Sequence, residues 1–494
     1  MKMAKKILAM LLTASILLST ALTATAAEAE AEKTAQSDGS ALSDLMKSAS
    51  VSPLTGNERA PFISADNSPV LMSKENELLL YTSNKKGVAM KDDFVTVFEK
   101  MTSETSYAEE GSVSPELDLF FATAVALNAS GNGTDDHIAF LGVKVFDDND
   151  VGANAGRSGE QVLILVLYNA RRERVVDTIE LGSVKGWASS VEHYSYKTLF
   201  SVTAGDYDGD GIDEIACTDH DMGVQTIEID KSSSSLSLRK ARRYSWTELV
   251  PDAVGESMGR LITSMAEYNR RAFMSLATGN LDGTGAEELV TAVSTNYPGD
   301  EIFMPNIVEA YTTQLAVLAD PTSSDVRIKT TVVHSTRASD DDDEQDDVIH
   351  RVIYVGQIAC GDFDADRKDE IAVVGYTGEI EVTETGEIID GQYEYDDENI
   401  ALCYAKLDGN FFGVSEITVD AMTPFIEEGF FSSSQGLVPL AIDAAKLHGQ
   451  YGKESVFVGG KVYQFSTEGG PRFIRINFLR RNPRGKLPMP TWSM

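Results

Sequence analysis

FSVTAGDYDGDGIDEIA, residues 200–216, is the stretch from which the rest of this chain can be read. Asp206, Asp208, Asp210 and Glu214 take positions 1, 3, 5 and 9 of a short loop, with Gly209 and Gly211 between them and Ile215 and Ala216 directly after. Carboxylates packed this closely repel. Two unit charges about 4 Å apart cost roughly 4 kcal/mol at an intermediate dielectric, so the cluster needs a cation or wide separation. Ca2+ suits it, because it accepts roughly six to eight hard oxygen ligands in flexible geometry. The glycines allow the positive φ of a tight turn, and the backbone carbonyl of Ile212 at position 7 is a further candidate ligand. An EF-hand would place a bidentate Glu at position 12 and continue as a helix. Here position 12 is Cys217, and an apolar run suited to a buried strand follows. A dockerin-type loop also leads into a helix. The loop therefore reads as a β-hairpin calcium loop; the alternative is a solvated acidic turn without metal.

The pattern recurs. GNLDGTGAEELV begins at Gly279 and GDFDADRKDEIA at Gly361, and both keep the frame of Gly, Asp or Asn, an apolar residue and Asp. Five positions on, each has an acidic residue, then Glu, an aliphatic and a small apolar residue. Two weaker copies bracket these, one starting at Asn128 and one at Lys446, the latter with Lys446, His448 and Gln450 in place of the carboxylates at positions 1, 3 and 5. First positions at 128, 206, 280, 362 and 446 are spaced by 78, 74, 82 and 84 residues. A regular period with one hairpin loop per unit is the signature of a repeat architecture. Strand-like runs lie between the loops at residues 162–168, 224–229, 314–318, 400–405 and 456–465, and 78–82 with 94–98 precede the first loop. The best helical candidate is 254–268. About 80 residues with several short strands make one β-propeller blade, so the expected fold is all-β, a propeller of about six blades with seven possible, over residues 61–494.

On these residues the chain resembles the FG-GAP repeats of the integrin α-subunit propeller and their bacterial relatives, over residues 120–465. The resemblance rests on the Asp206, Asn280 and Asp362 loops, with Ala204-Gly205 and Cys360-Gly361 at the family's small-residue turn; the literal Phe-Gly and Gly-Ala-Pro elements are absent. It implies a propeller with structural calcium in hairpin loops, serving adhesion or recognition more often than catalysis.

The candidate metal ligands rank by charge. Asp206, Asp208, Asp210, the Ile212 carbonyl and Glu214 come first. Asp362, Asp364, Asp366, the Lys368 carbonyl and Glu370 come next, with Arg367 where the turn wants glycine. Asn280, Asp282, Thr284 and Glu288 hold two carboxylates and should bind more weakly. Asn128, Ser130, Asn132 and Asp136 hold one.

Lys2, Lys5 and Lys6 precede the apolar run 7–18 and the A-x-A site Ala24-Thr25-Ala26, which reads as a secretory signal peptide over residues 1–26. No Cys for a lipid anchor stands at the cleavage site. Residues 27–60 read as a small, polar linker. The mature protein is expected outside a bacterial cell. The formal charge of the full chain, −35 from 42 basic and 77 acidic residues, argues against nucleic acid and anionic membranes as partners and fits a cation binder. Cys217, Cys360 and Cys403 are an odd number for a disulfide scaffold, and buried thiols are expected.

The acidic runs 340–347 (DDDDEQDD) and 393–399 (YEYDDEN) read as an exposed loop and a hairpin tip. No G-x-S-x-G, HExxH or Walker loop occurs. Asp219-His220-Asp221 is the one local acid–base trio, and neighbouring strand residues point to different faces. The function expected is a secreted, calcium-stabilised module that binds an extracellular protein or glycan. The alternative is a polysaccharide-acting glycosidase or lyase on the same scaffold.

Overall fold

The computed structural model describes segments between residues 70 and 481, with side chains chiefly from 119 to 424. The expected signal peptide and linker, the Lys446 loop, the acidic run 340–347 and most of 254–268 lie outside the described residues. Of the helical candidate, Val254 alone is described; it is helical and buried.

The regular structure of the described residues is almost wholly antiparallel β. β1 (Val70–Lys74), β2 (Glu77–Lys86), β3 (Ala89–Glu99) and β4 (Glu110–Val113) make the first sheet. β5 (Phe120–Leu127), β6 (His137–Val145), β7 (Gln161–Asn169) and β8 (Arg174–Ser183) make the second. β9 (Val202–Gly205), β10 (Glu214–Thr218), β11 (Val224–Lys231) and β12 (Leu236–Tyr244) make the third. β13 (Ala272–Gly279), β14 (Glu288–Thr295), β15 (Gln314–Ala319) and β16 (Arg327–Val332) make the fourth. The fifth is larger: β17 (His334–Ala338), β18 (Val348–Gly361), β19 (Glu370–Val382), β20 (Ile388–Asp408) and β21 (Glu416–Val419), with β22 (Thr423–Pro424) on β20. β23 (Gln435–Ala445), β24 (Ser455–Ser466) and β25 (Gly470–Arg481) make the last.

Burial explains the sequence pattern of these strands. β7, QVLILVLYN, is a continuous apolar run, and every residue from Val162 to Tyr168 is buried. Both of its faces are covered, so the usual alternation of a half-buried strand is absent. Each such aliphatic side chain contributes about 1.5–3 kcal/mol on burial. β8, the outer strand of the same sheet, alternates between exposed and half-buried positions and leaves Val175 exposed.

The covering partner is the neighbouring sheet. One core joins Leu141 and Leu165 of the second sheet to Ile215, Cys217 and Ile227 of the third. A second joins Ala216 and Val224 of the third to Leu289 and Ala316 of the fourth. A third joins Val290 and Val317 of the fourth to Ile371, Val373 and Cys403 of the fifth. One strand of each sheet also touches its counterpart in the next: β1 meets β5, β5 meets β9, β9 meets β13, β13 meets β18, β18 meets β23, and β23 returns to β1. Sheets stacked face to face around a ring of inner strands are a β-propeller. Every sheet is built from strands consecutive in the chain, so among the described residues the last sheet meets the first by packing and not by sharing a strand.

The strand-like runs read from the sequence fall in β2, β3, β7, β11, β15, β20 and β24. All three cysteines are free, with Cys217 and Cys403 buried. One expectation fails. Residues 393–399 are not a hairpin tip but lie inside β20, with Tyr393 opposite Ile380, Glu394 opposite Glu379 and Asp396 opposite Thr377. Pairing with β19 outweighs the turn-like composition, and the register shifts across 397–399 absorb the surplus residues. No helix among the described residues is long and apolar enough to cross a membrane.

Candidate metal centre

The four described loops join β5 to β6, β9 to β10, β13 to β14 and β18 to β19, so all stand at the same end of their sheets. One ladder of side chain-to-backbone bonds winds the three stronger copies. The side chain at position 1 accepts the N–H of position 6: Gly211 to Asp206 Oδ2 at 3.0 Å, Gly285 to Asn280 Oδ1 at 3.4 Å, Arg367 to Asp362 Oδ2 at 3.2 Å. Position 3 accepts from position 5, as Asp210 N–H to Asp208 Oδ1 at 3.0 Å, Thr284 N–H to Asp282 Oδ1 at 2.8 Å and Asp366 N–H to Asp364 Oδ1 at 3.0 Å. Position 5 accepts from position 7, as Ile212 N–H to Asp210 Oδ1 and Lys368 N–H to Asp366 Oδ1, both at 2.8 Å. These Asx-type bonds select Asp and Asn at alternate positions before any ion is considered. The ladder also turns positions 4 and 6 left-handed, at φ 77° and 87° for Gly209 and Gly211. In the Asp362 loop those positions are Ala365 and Arg367, at φ 69° and 75°. A side chain there costs roughly 1–2 kcal/mol.

Position 9 closes each turn. Its carboxylate accepts the N–H of buried position 2: Tyr207 to Glu214 Oε2 at 2.9 Å, Leu281 to Glu288 Oε2 and Phe363 to Glu370 Oε2 at 2.8 Å. Burial, reinforced by the neighbouring carboxylates, pushes Glu214 and Glu288 up to about 8.

The loops differ in what faces these carboxylates. Asp206, Asp208 and Asp210 bring one oxygen each within 4.8 Å of one another. Asp206 Oδ1 is buried and has no hydrogen-bond partner. Among the described residues no lysine or arginine pairs with the three. This hard-oxygen set with an orphaned buried acceptor fits a calcium ion. Asp362, Asp364 and Glu370 converge equally closely, but Lys406 of β20 places Nζ 2.6 Å from Asp364 Oδ2 and 3.0 Å from Glu370 Oε1. Asp366 stands apart from that group. Burial still raises Glu370, against the pull of Lys406.

The Asn280 loop repeats the ladder with two carboxylates, both buried. In the Asn128 loop, the shorter Asp136 bonds to Ser130 Oγ, to Asn132 Nδ2 at 3.4 Å and to His137 Nδ1 at 2.6 Å, while Asn169 Nδ2 holds His137 Nε2 at 2.9 Å. Burial raises Asp136, but the bonds from Ser130 and His137 outweigh it and hold the carboxyl below its ordinary value. Lys231 Nζ also reaches Ser130 O at 2.5 Å. Protein groups thus satisfy Asp136, the one carboxylate at a ligand position in this loop.

Two sets of residues escaped the sequence reading. Lys406 had no local signal, since strand pairing alone brings it to the loop. The acids at position 8 did have one, in the pairs Asp213-Glu214, Glu287-Glu288 and Asp369-Glu370. They reach the preceding loop. Asn128 N–H donates to Asp213 Oδ2 at 2.7 Å, Asp206 N–H to Glu287 Oε2 at 3.0 Å, and Asn280 N–H to Asp369 Oδ2 at 2.8 Å. The backbone returns the bond: Asp213, Glu287 and Asp369 N–H donate to the carbonyls of Asn128, Asp206 and Asn280 at 3.2, 2.9 and 3.0 Å. Asp219, of the acid–base trio, is a structural anchor that accepts from Gly223 N–H at 2.8 Å and Arg243 Nε at 2.5 Å.

No protein-family model matches the chain, and no curated protein matches it. Solved structures with a similar course include AofleA from Arthrobotrys oligospora, at 9% identity and a TM-score of 0.37, covering 86% of this chain and 88% of that one. The SapL1 lectin, solved with alpha methyl fucoside, aligns at 8% identity and a TM-score of 0.35 over 84% of this chain and 97% of its own. The β-propeller domain of the Trilobed protease from Pyrococcus furiosus, described as having an open velcro topology, aligns at 8% identity and a TM-score of 0.29 over 85% and 96%. Fold and loops together define this chain as a β-propeller whose hairpin loops repeat an acidic, turn-forming motif at one end of the sheets.

Proposed function

We propose that this chain is a secreted, calcium-stabilised β-propeller of the FG-GAP type, which binds an extracellular protein or glycan through its exposed loops. The observation that carries the calcium assignment is the Asp206 loop: three carboxylate oxygens within 4.8 Å of one another, and a buried Asp206 Oδ1 without a donor. Asp206, Asp208 and Asp210 would hold the ion, with Glu214 fixing the turn behind them. The ion would supply the positive charge that lets these side chains stay ionised side by side. Six stacked sheets and rigid loops then offer a fixed surface, which suits recognition.

Thermal unfolding in millimolar calcium and in excess chelator tests this. A ligand bound only by the folded state raises the midpoint. A midpoint indifferent to calcium removes the assignment. A glycan and protein binding screen, with product analysis of each glycan that binds, separates a recognition module from a polysaccharide-acting enzyme.

A further inference from the structure

Gly205, Gly279 and Gly361, the residues just before position 1, explain themselves through the next sheet. A β-carbon on Gly205 would collide with Thr278 Cγ2 and Glu287 Oε2, on Gly279 with Cys360 Cβ at 2.6 Å and Asp369 Oδ2 at 2.9 Å, and on Gly361 with Glu454 Oε2. Each glycine makes room for the next sheet, and part of that room is taken by the acid just before β14, β19 or β24: Glu287, Asp369 or Glu454. In the Asp206 and Asn280 loops that acid grips the backbone of position 1, the first ligand residue, twice: its carboxylate accepts the N–H, and its own N–H donates to the C=O. The Asp362 loop belongs to the series, since Glu454 N–H donates to Asp362 O at 3.0 Å.

We propose that Asp213, Glu287 and Asp369 are positioning residues that couple neighbouring loops, so that calcium held by one loop raises the affinity of the loop before it. The inference rests on the calcium reading above. Position 8 is covalently next to the position-9 Glu that closes its own turn. Ordering Glu288 orders Glu287, and Glu287 holds the backbone from which Asp206 reaches its site. The ordering entropy is met once and shared, which is positive cooperativity without a change of shape. The coupling has a fixed end. Lys406 orders Glu370, and through Asp369 it steadies Asn280 with no metal present. Order then passes from the Asn280 loop to the Asp206 loop, and from there through Asp213 to Asn128.

Calcium titration calorimetry on the purified chain, with Glu287→Ala and Glu287→Gln, tests the coupling. Glu287 is not among the candidate ligands, yet Glu287→Ala should weaken the tightest site by about fivefold or more. Glu287→Gln keeps an oxygen to accept Asp206 N–H and should stay within about twofold of the parent. A role confined to folding would lower the midpoint in chelator and leave the affinity of the folded protein alone. Parental affinity in Glu287→Ala therefore overturns the coupling and leaves the calcium reading standing. An unaltered chain that binds no calcium overturns both. Should Glu287→Ala not fold, hydrogen exchange on the unaltered protein decides. One equivalent of calcium should slow exchange at the Asn128 amide together with Asp206; slowing at Asp206 alone sinks the proposal.

Discussion

In the Asp206 loop three carboxylates face one another with no basic group between them among the described residues; in the Asp362 loop Lys406 lies 2.6 Å from one carboxylate and 3.0 Å from another. The backbone ladder is the same in both, and so is the bond from position 2 to the position-9 Glu. The difference lies in the counter-charge, supplied in one loop by the chain and in the other left for solution to supply. A shared acidic motif therefore reports a shared turn, and under the proposed calcium reading it is the surroundings that would make one turn a metal site and not the other.

The largest effect should come from removing one aspartate in each loop. With calcium at a hundredfold excess over its dissociation constant, binding stabilises by about 2.7 kcal/mol. Asp208→Ala should abolish nearly all of that response in thermal unfolding, while Asp364→Ala keeps most of it. Equal losses would erase the distinction between the loops. Lys406→Met attacks the other side. It leaves partly buried carboxylates without their cation, at a cost on the order of 2 kcal/mol in chelator. Millimolar calcium should recover the loss, turning the Asp362 loop into a second site; no recovery would mean that Lys406 acts by packing alone.

Acidity sharpens the contrast further. Glu214 and Glu288 sit at about 8 in the folded chain against an ordinary 4.5. The folded state thus holds their protons more tightly than the unfolded chain. Their contribution is fully present below about pH 4.5 and is lost as pH rises through 8. In chelator the stability should fall across that window, and the calcium response should grow as pH rises. Glu214→Gln should flatten the slope more than Glu370→Gln, because Lys406 already favours the charged form of Glu370. The smallest expected gain is Arg367→Gly. It relieves one left-handed side chain and should raise stability by about 1 kcal/mol, read from the shift of a urea midpoint.

Much of the fold was legible because its signals are local. The ladder needs Asp or Asn at positions 1, 3 and 5, and the doubly covered inner strands leave unbroken apolar runs such as VLILVLY, so loop spacing and strand placement could both be read from the chain. Arg367 announced its own strain. What escaped depended on partners distant in sequence. Lys406 follows Asp364 by 42 residues and reaches it only through strand pairing. Glu287 and Asp369 bond to loops that precede them by 81 and 89 residues, and only the stacking of the sheets brings those loops beside them. The segment YEYDDEN misled for the opposite reason: its composition favours a turn, and β19 overrides it.

The way the ring closes has a consequence for how such a chain can be cut and rejoined. Each described sheet is completed by its own consecutive strands, and β23 only packs against β1. Among the described residues, no junction between sheets is topologically privileged. Circular permutants opened between Ser183 and Phe200, or between Tyr244 and Ala272, would keep every sheet intact. Whole units of this kind can be gained, lost or reordered by genetic duplication without unpicking a single hairpin.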